Sequence, residues 1–172
     1  MNRQRLFKTL ENQEGRRYEP YPDSRGIPTV GIGLNLRDVG YKGKKYASVE
    51  AFKADYPDGL TDAEIEAAFN EELERIIGNV IEFCEDKGVD YNELSDLRQE
   101  IIVNMIFNMG FGGIDKFSLM WQHLAAGNYI GAALEMLHSS RGKLSSYVRQ
   151  VQMRAVRLAI AMATDDEAAL EL

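Results

Sequence analysis

A mostly helical α+β fold is predicted for this 172-residue chain. Three observations carry the prediction. Strand and turn formers crowd into residues 16–36, helical hydrophobic spacing dominates from residue 61 onward, and no second β-rich block follows. The length suits a single domain over residues 1–172 with enough chain to bury a real core.

The elements follow in order. Asn2 is placed to cap a first helix with Leu6, Phe7 and Leu10 on one stripe, and Gly15 ends it at or beside Glu14. Thr29, Val30 and Ile32 favour strand, and Ser24-Arg25-Gly26 supplies a turn. Pro20, Pro22 and Pro28 each remove a ladder donor, so the sheet must be small and edge-like. Residues 37–60 are less regular, with a short helix expected from Ser48 to Asp55. The run Thr61-Asp62-Ala63-Glu64 is a capping box. It opens a long helix reaching about Glu85, whose stripe is Ile65, Ala68, Phe69, Leu73, Ile76, Ile77, Val80 and Ile81. Asp96 to Met109 is apolar almost all round, the mark of a buried central helix, and Gly110 ends it. Further helices are predicted over 115–126, 129–138 and 146–163, and the acidic tail from Asp165 to Leu172 is expected to fray.

Composition narrows the function. A hydrophobic fraction of 45% with 27% charged residues is that of an ordinary globular protein, and no apolar run approaches a membrane span. The first fifteen residues lack the apolar core of a signal peptide, so nothing in the chain itself is expected to export it. A lone cysteine, Cys84, forms no internal disulfide and suits a reducing compartment. The net charge of −7 is uneven: ten Lys/Arg face five Asp/Glu in residues 1–46, and four face seventeen in residues 47–115. Overall acidity argues against a nucleic-acid partner.

Several constellations fail on inspection. The stretch Gly31-Ile-Gly-Leu-Asn-Leu36 has leucine where a dinucleotide loop needs its third glycine. Residues 55–66 lack the oxygen-ligand spacing of a calcium loop. His123 and His138 have no partner at metal spacing, so neither a metal nor a cofactor is expected. No G-x-S-x-G motif is present, and Ser139 and Ser140 read as loop. Cys84 on a helix without a cationic neighbourhood reads as a packed thiol.

Two carboxylates stand out by position. Glu14 sits where a helix ends, and there the dipole disfavours a negative charge. A glutamate in that place is either indifferent in solvent or kept for use as a general acid. Asp23 and Thr29 flank the Ser24–Pro28 turn and are expected to face each other across the hairpin, holding one water between carboxylate and hydroxyl. An acid and a water-holding pair on opposite walls of a groove are what hydrolysis of a glycosidic bond requires.

The spacing Glu14-x8-Asp23-x5-Thr29, with Glu-Gly at its start and Thr-Val-Gly-Ile-Gly at its end, resembles the catalytic segment of the phage-type lysozymes. Leu60-Thr-Asp-Ala-Glu64, Val103-Asn-Met-Ile-Phe-Asn-Met-Gly110, Gly112-Gly-Ile-Asp-Lys-Phe117, Ala132-Ala-Leu134 and Arg154-Ala-Val-Arg157 continue the resemblance in order along most of the chain. It implies a two-lobed fold: an N-terminal lobe with the hairpin at 1–60, a linking helix at 61–86 and a helical lobe at 87–172. The implied activity is hydrolysis, with inversion, of the β-1,4 bond between N-acetylmuramic acid and N-acetylglucosamine in peptidoglycan glycan strands, causing bacterial lysis. By the same resemblance Glu14 protonates the leaving oxygen, Asp23 and Thr29 place the water, and Arg154 pairs with the catalytic acid. Phe107 and Asn35 fall at substrate-contacting positions, Asn35 without matching residue type. A monomer is expected. The alternative is a peptidoglycan-binding or structural domain that kept the groove and lost turnover.

The chain also departs from the family pattern. Leu34 stands where a salt-bridging histidine is found, Gln13 replaces an acid, and Met120 and Glu135 occupy groove positions of different chemistry. The acidic net charge should weaken long-range attraction to a polyanionic cell wall.

Overall fold

The computed structural model describes residues 1–138 and 145–171, apart from the side chains of Ser146 and Gln150. Ser139 and Ser140, read above as loop, lie outside the described residues. In chain order the elements are α1 (Arg3–Glu14), β1 (Arg17–Pro22), β2 (Pro28–Gly31), β3 (Leu34–Asn35), α2 (Val49–Asp55), α3 (Asp62–Glu85), α4 (Asp96–Met109), α5 (Phe111–Ile114), α6 (Ser118–Ala125), α7 (Tyr129–Leu137), α8 (Ser146–Val151) and α9 (Met153–Thr164). Short 3-10 turns span Tyr91–Glu93 and Glu167–Glu171. A single antiparallel sheet in the order β1-β2-β3 followed by helices is the predicted α+β architecture.

The boundary signals act as their chemistry requires. Asn2 Oδ1 accepts from the Arg5 amide at 3.1 Å, and Ser48 and Ser95 cap α2 and α4 through their hydroxyls. At α3 the capping box closes both ways. The Glu64 amide donates to Thr61 Oγ1 at 3.3 Å and the Thr61 amide to Glu64 Oε2 at 3.1 Å.

Four expectations are corrected. The helix placed at 115–126 runs only over α6, Ser118–Ala125, and α5 is an unexpected turn ahead of it that starts directly at Gly110 and closes with the Ile114 amide donating to the Gly110 carbonyl. The helix placed at 146–163 breaks at Gln152, whose φ of 44° lies in the left-handed region and separates α8 from α9. The tail does not fray over Glu167–Glu171, where Ala169 is buried and Arg5 pairs with Glu167. On α3 the stripe is narrower than expected, for Ile77 is half-buried and Ile81 exposed while Ile76, Val80 and Cys84 are buried.

The chain divides into two compact units. One comprises Phe7–Arg75, the other Met1–Leu6 together with Ile76–Leu172. In the first, Val30, Ile32 and Leu36 from the sheet region and Phe52, Ile65 and Phe69 from the helices are buried. Phe7 meets Phe69 edge-on at 4.8 Å, and Phe52 stacks on Tyr56 at 4.8 Å. In the second, Ile101, Ile102, Val103, Met105 and Ile106 make α4 a buried axis, with α9 packed on α4 and α7. Phe83 contacts Phe111 and Trp121 edge-on, and the Trp121 indole donates to the Ile114 carbonyl at 3.1 Å.

Cys84 is fully buried on α3, and desolvation pushes its thiol up to about 12. The native protein should therefore show no thiol reactive towards Ellman's reagent at pH 8, and one after denaturation. Native labelling at the rate of free cysteine would show that the thiol is not packed as described.

Candidate active site

The proposed acid, Glu14, is the last residue of α1 and is half-buried. Its carboxylate lies against the backbone of Gly33. A Cβ at position 33 would meet Glu14 Cγ and Oε2 at 3.2 Å, and the backbone there has φ of 69°. Glycine at 33 thus serves both the tight turn into β3 and the close approach of the acid.

Asp23 is held by its own turn. Oδ1 accepts from the Arg25 and Ile27 amides, both at 2.8 Å, and Oδ2 lies 3.4 Å from the Arg25 guanidinium. The Gly26 amide closes the turn on the Asp23 carbonyl at 2.9 Å, with Gly26 at φ 75°, the left-handed position that ends a three-residue hairpin loop. Burial alone would raise the Asp23 pKa. The Ile27 and Arg25 amides and the Arg25 charge outweigh it and hold the carboxyl below its ordinary 3.8. Asp23 is therefore an anion at neutral pH.

This shift has a thermodynamic consequence. A carboxyl depressed in the folded state contributes stability that is present above 3.8 and lost as pH falls through the lower folded value. The thermal midpoint of wild type relative to Asp23→Asn should accordingly be constant from pH 7 down to about 4 and shrink below it. A difference that does not change with pH would mean the charge is not the source.

Thr29 is buried on the central strand, and its hydroxyl donates to the Ile27 carbonyl at 3.0 Å. The register differs from expectation. Tyr21, not Asp23, is the cross-strand partner of Thr29, and the strands end at the Pro22–Pro28 pair. Asp23 belongs to the turn because its amide bonds the Ile27 carbonyl, which narrows the expected five-residue loop to three. Because the Thr29 proton is committed to Ile27, its oxygen is left with lone pairs and can act as an acceptor.

Sequence reasoning missed Tyr21. This side chain is half-buried, carries the Arg17 guanidinium 4.3 Å above its ring, and feels the charges of both Glu14 and Asp23. Its pKa is raised, first by burial and then by the two carboxylates, against the opposing pull of Arg17. A tyrosine in a strand reads as a β-former; only the pairing with Thr29 reveals its place between the acids.

Asn35 pairs with Thr29 on the other side of the sheet. Its amide is engaged in a turn: Oδ1 accepts from the Arg37 and Asp38 amides, and Nδ2 donates to Asp38. Phe107 and Arg154 lie in the other compact unit. Phe107 is half-buried on α4, and Arg154 at the start of α9 donates through Nη1 to Asn108 Oδ1. Asn108 is oriented for this by donating from Nδ2 to the carbonyl and Oδ1 of the buried Asn104. Among the described residues no group of three or more His, Cys, Asp or Glu is gathered that could hold a metal ion, and no helix is long and apolar enough to cross a membrane.

A helix-end carboxyl and an ionised hairpin carboxylate, in one small α+β unit and acting on one tyrosine, are the equipment of a glycosidase that works with paired acids. The phage lysozyme family profile matches residues 11–154, which include Glu14, Asp23, Thr29, Phe107 and Arg154. Two relatives from Dictyostelium discoideum, named probable T4-type lysozymes 1 and 2, are 28% and 25% identical over 145 and 142 residues. These alignments cover 76% and 78% of this chain and 81% and 83% of those proteins. The pre-baseplate central spike protein Gp5 of Enterobacteria phage T4 is 27% identical over 165 residues, 92% of this chain but 28% of the spike protein. The chain belongs to the phage lysozyme family. It is a glycosidase of the lysozyme class.

Proposed function

We propose that this chain is a muramidase that cleaves the β-1,4 bond between N-acetylmuramic acid and N-acetylglucosamine in peptidoglycan with inversion, and so lyses bacteria. The observation that carries the reading is the contrast between the two acids in one unit. Asp23 is kept ionised by two backbone amides and Arg25, while Glu14 stands at the end of α1 with its side chain against Gly33.

In this mechanism Glu14 gives its proton to the leaving glycosidic oxygen. Positive charge develops on the sugar ring, and in this reading the fixed Asp23 carboxylate stabilises it. The attacking water donates to Asp23 and to the Thr29 lone pairs, which aim its own lone pair at the anomeric carbon. A carboxyl held below 3.8 is a weak base, so Asp23 takes the water's proton only as the new C–O bond forms and then passes it to solvent, while Glu14 regains a proton from solvent. For Phe107, Asn35 and Arg154 we propose the roles that the resemblance implies.

Product analysis tests this. Purified peptidoglycan treated with the protein should yield new reducing ends on N-acetylmuramic acid. Proton NMR of the first-formed product should show the anomer opposite to that of the substrate. Absence of new reducing ends would leave the wall-binding alternative, and a retained anomer would exclude the direct water attack.

A further inference from the structure

We propose that the pocket between the 39–43 turn and α3 is a subsite for a cationic group on the peptide stem of peptidoglycan, an ammonium on an aliphatic arm such as a diamino acid supplies, with Glu71 as its counter-ion. This rests on the muramidase reading. The pocket lies within the Phe7–Arg75 unit and encloses about 210 Å³. That is below the roughly 300 Å³ at which pockets for drug-sized ligands begin, so it suits one side chain rather than a sugar pair.

Its charges select the ligand. Two basic residues line it, and both are already matched. Lys42 pairs with Glu64 at 3.2 Å and lies 5.0 Å from the centre of the Tyr41 ring. Arg75 forks onto Glu72 at 2.8 and 2.7 Å. Glu71, also in the lining, makes no ion pair or hydrogen bond among the described residues. The surplus charge of the pocket is therefore negative, and the complement is a single cation.

The remaining wall fits an arm that is apolar up to its charged end. Leu34 and the exposed Val39 are aliphatic. Tyr41 adds an aromatic ring to the wall. The pocket also adjoins the site. Leu34 directly follows Gly33, the residue on which Glu14 rests, so a stem branching from a sugar near Glu14 has a short path to it.

The test compares three forms of soluble glycan strand: with stems bearing the free amine, with the same amine acetylated, and with the stems removed by an amidase. KM from reducing-end release and Kd from equilibrium binding are measured on each. Wild type should favour amine-bearing over acetylated strands by about 3–10-fold in both constants, as expected of one partly exposed ion pair with an aromatic neighbour. Glu71→Gln should bring that ratio to one and Glu71→Lys should invert it, with thermal midpoints confirming that both variants fold. A wild-type ratio of one, or a ratio that survives Glu71→Gln, would overturn the proposal. Failure of the muramidase reading is separate: no strand would yield reducing ends, while the Kd ratio would still decide whether the pocket reads the amine.

Discussion

Glu14→Gln should remove nearly all glycan cleavage and leave the fold standing. The amide keeps the shape and the packing against Gly33 but has no proton to give to a leaving oxygen. Loss of a positioned general acid costs about 10²–10⁴-fold in rate. Stability should change little, because the amide is isosteric with the carboxylate it replaces. Strand binding should survive, since the variant removes a proton donor and not the groove. The measurement is kcat/KM for reducing-end release beside the thermal midpoint and Kd. Cleavage within tenfold of wild type would remove Glu14 as the acid. A large fall in midpoint would instead mark it as a structural residue.

The architecture was legible wherever local chemistry is decisive. Asn2, Ser48, the Thr61–Glu64 box and Gly110 each satisfy an orphan group at a helix end, and such signals are written in one or two residues. The break at Gln152 was not legible. No glycine or proline occurs between 146 and 163, so no local signal marks the positive-φ residue there. The order of Glu167–Glu171 was hidden for a related reason. An acidic tail looks solvated until Arg5, distant in sequence, is found beside Glu167.

At the site, the spacing of Glu14, Asp23 and Thr29 named three residues but not their geometry. A five-residue connection suggested Asp23 opposite Thr29. The Asp23 side chain instead organises its own turn, and this shifts the facing residue to Tyr21. Register depends on which backbone groups the turn consumes, and only the folded hairpin displays that. Asn35 illustrates the converse. Its alignment suggests a sugar contact, and only the folded chain shows that its side-chain amide also holds the Arg37 and Asp38 turn.

The largest stability effect is expected at Arg5. The Glu100 side chain on α4 is 5% exposed and is met by Arg5 through Nε at 2.7 Å and Nη2 at 2.9 Å, with the Asn2 amide adding a third donor at 2.7 Å. These bonds, with Glu100 the largest influence, hold the guanidinium charge more firmly than in water. Arg5→Met strips two of three donors from a carboxylate that has left solvent, and breaking a buried pair from one side costs about 3–5 kcal/mol. For a chain of this length that corresponds to a midpoint lower by about 10 °C. The reverse single variant, Glu100→Gln, should cost less, because Arg5 keeps Glu167 and is more exposed than its partner. The double variant Arg5→Met with Glu100→Leu should recover much of the loss, since it removes the buried charge together with its need for donors. Urea denaturation of wild type and the variants measures all of these terms. Arg5→Met costing less than about 1 kcal/mol would place the pair with exposed salt bridges and refute its role as a clamp between the start of the chain and α4.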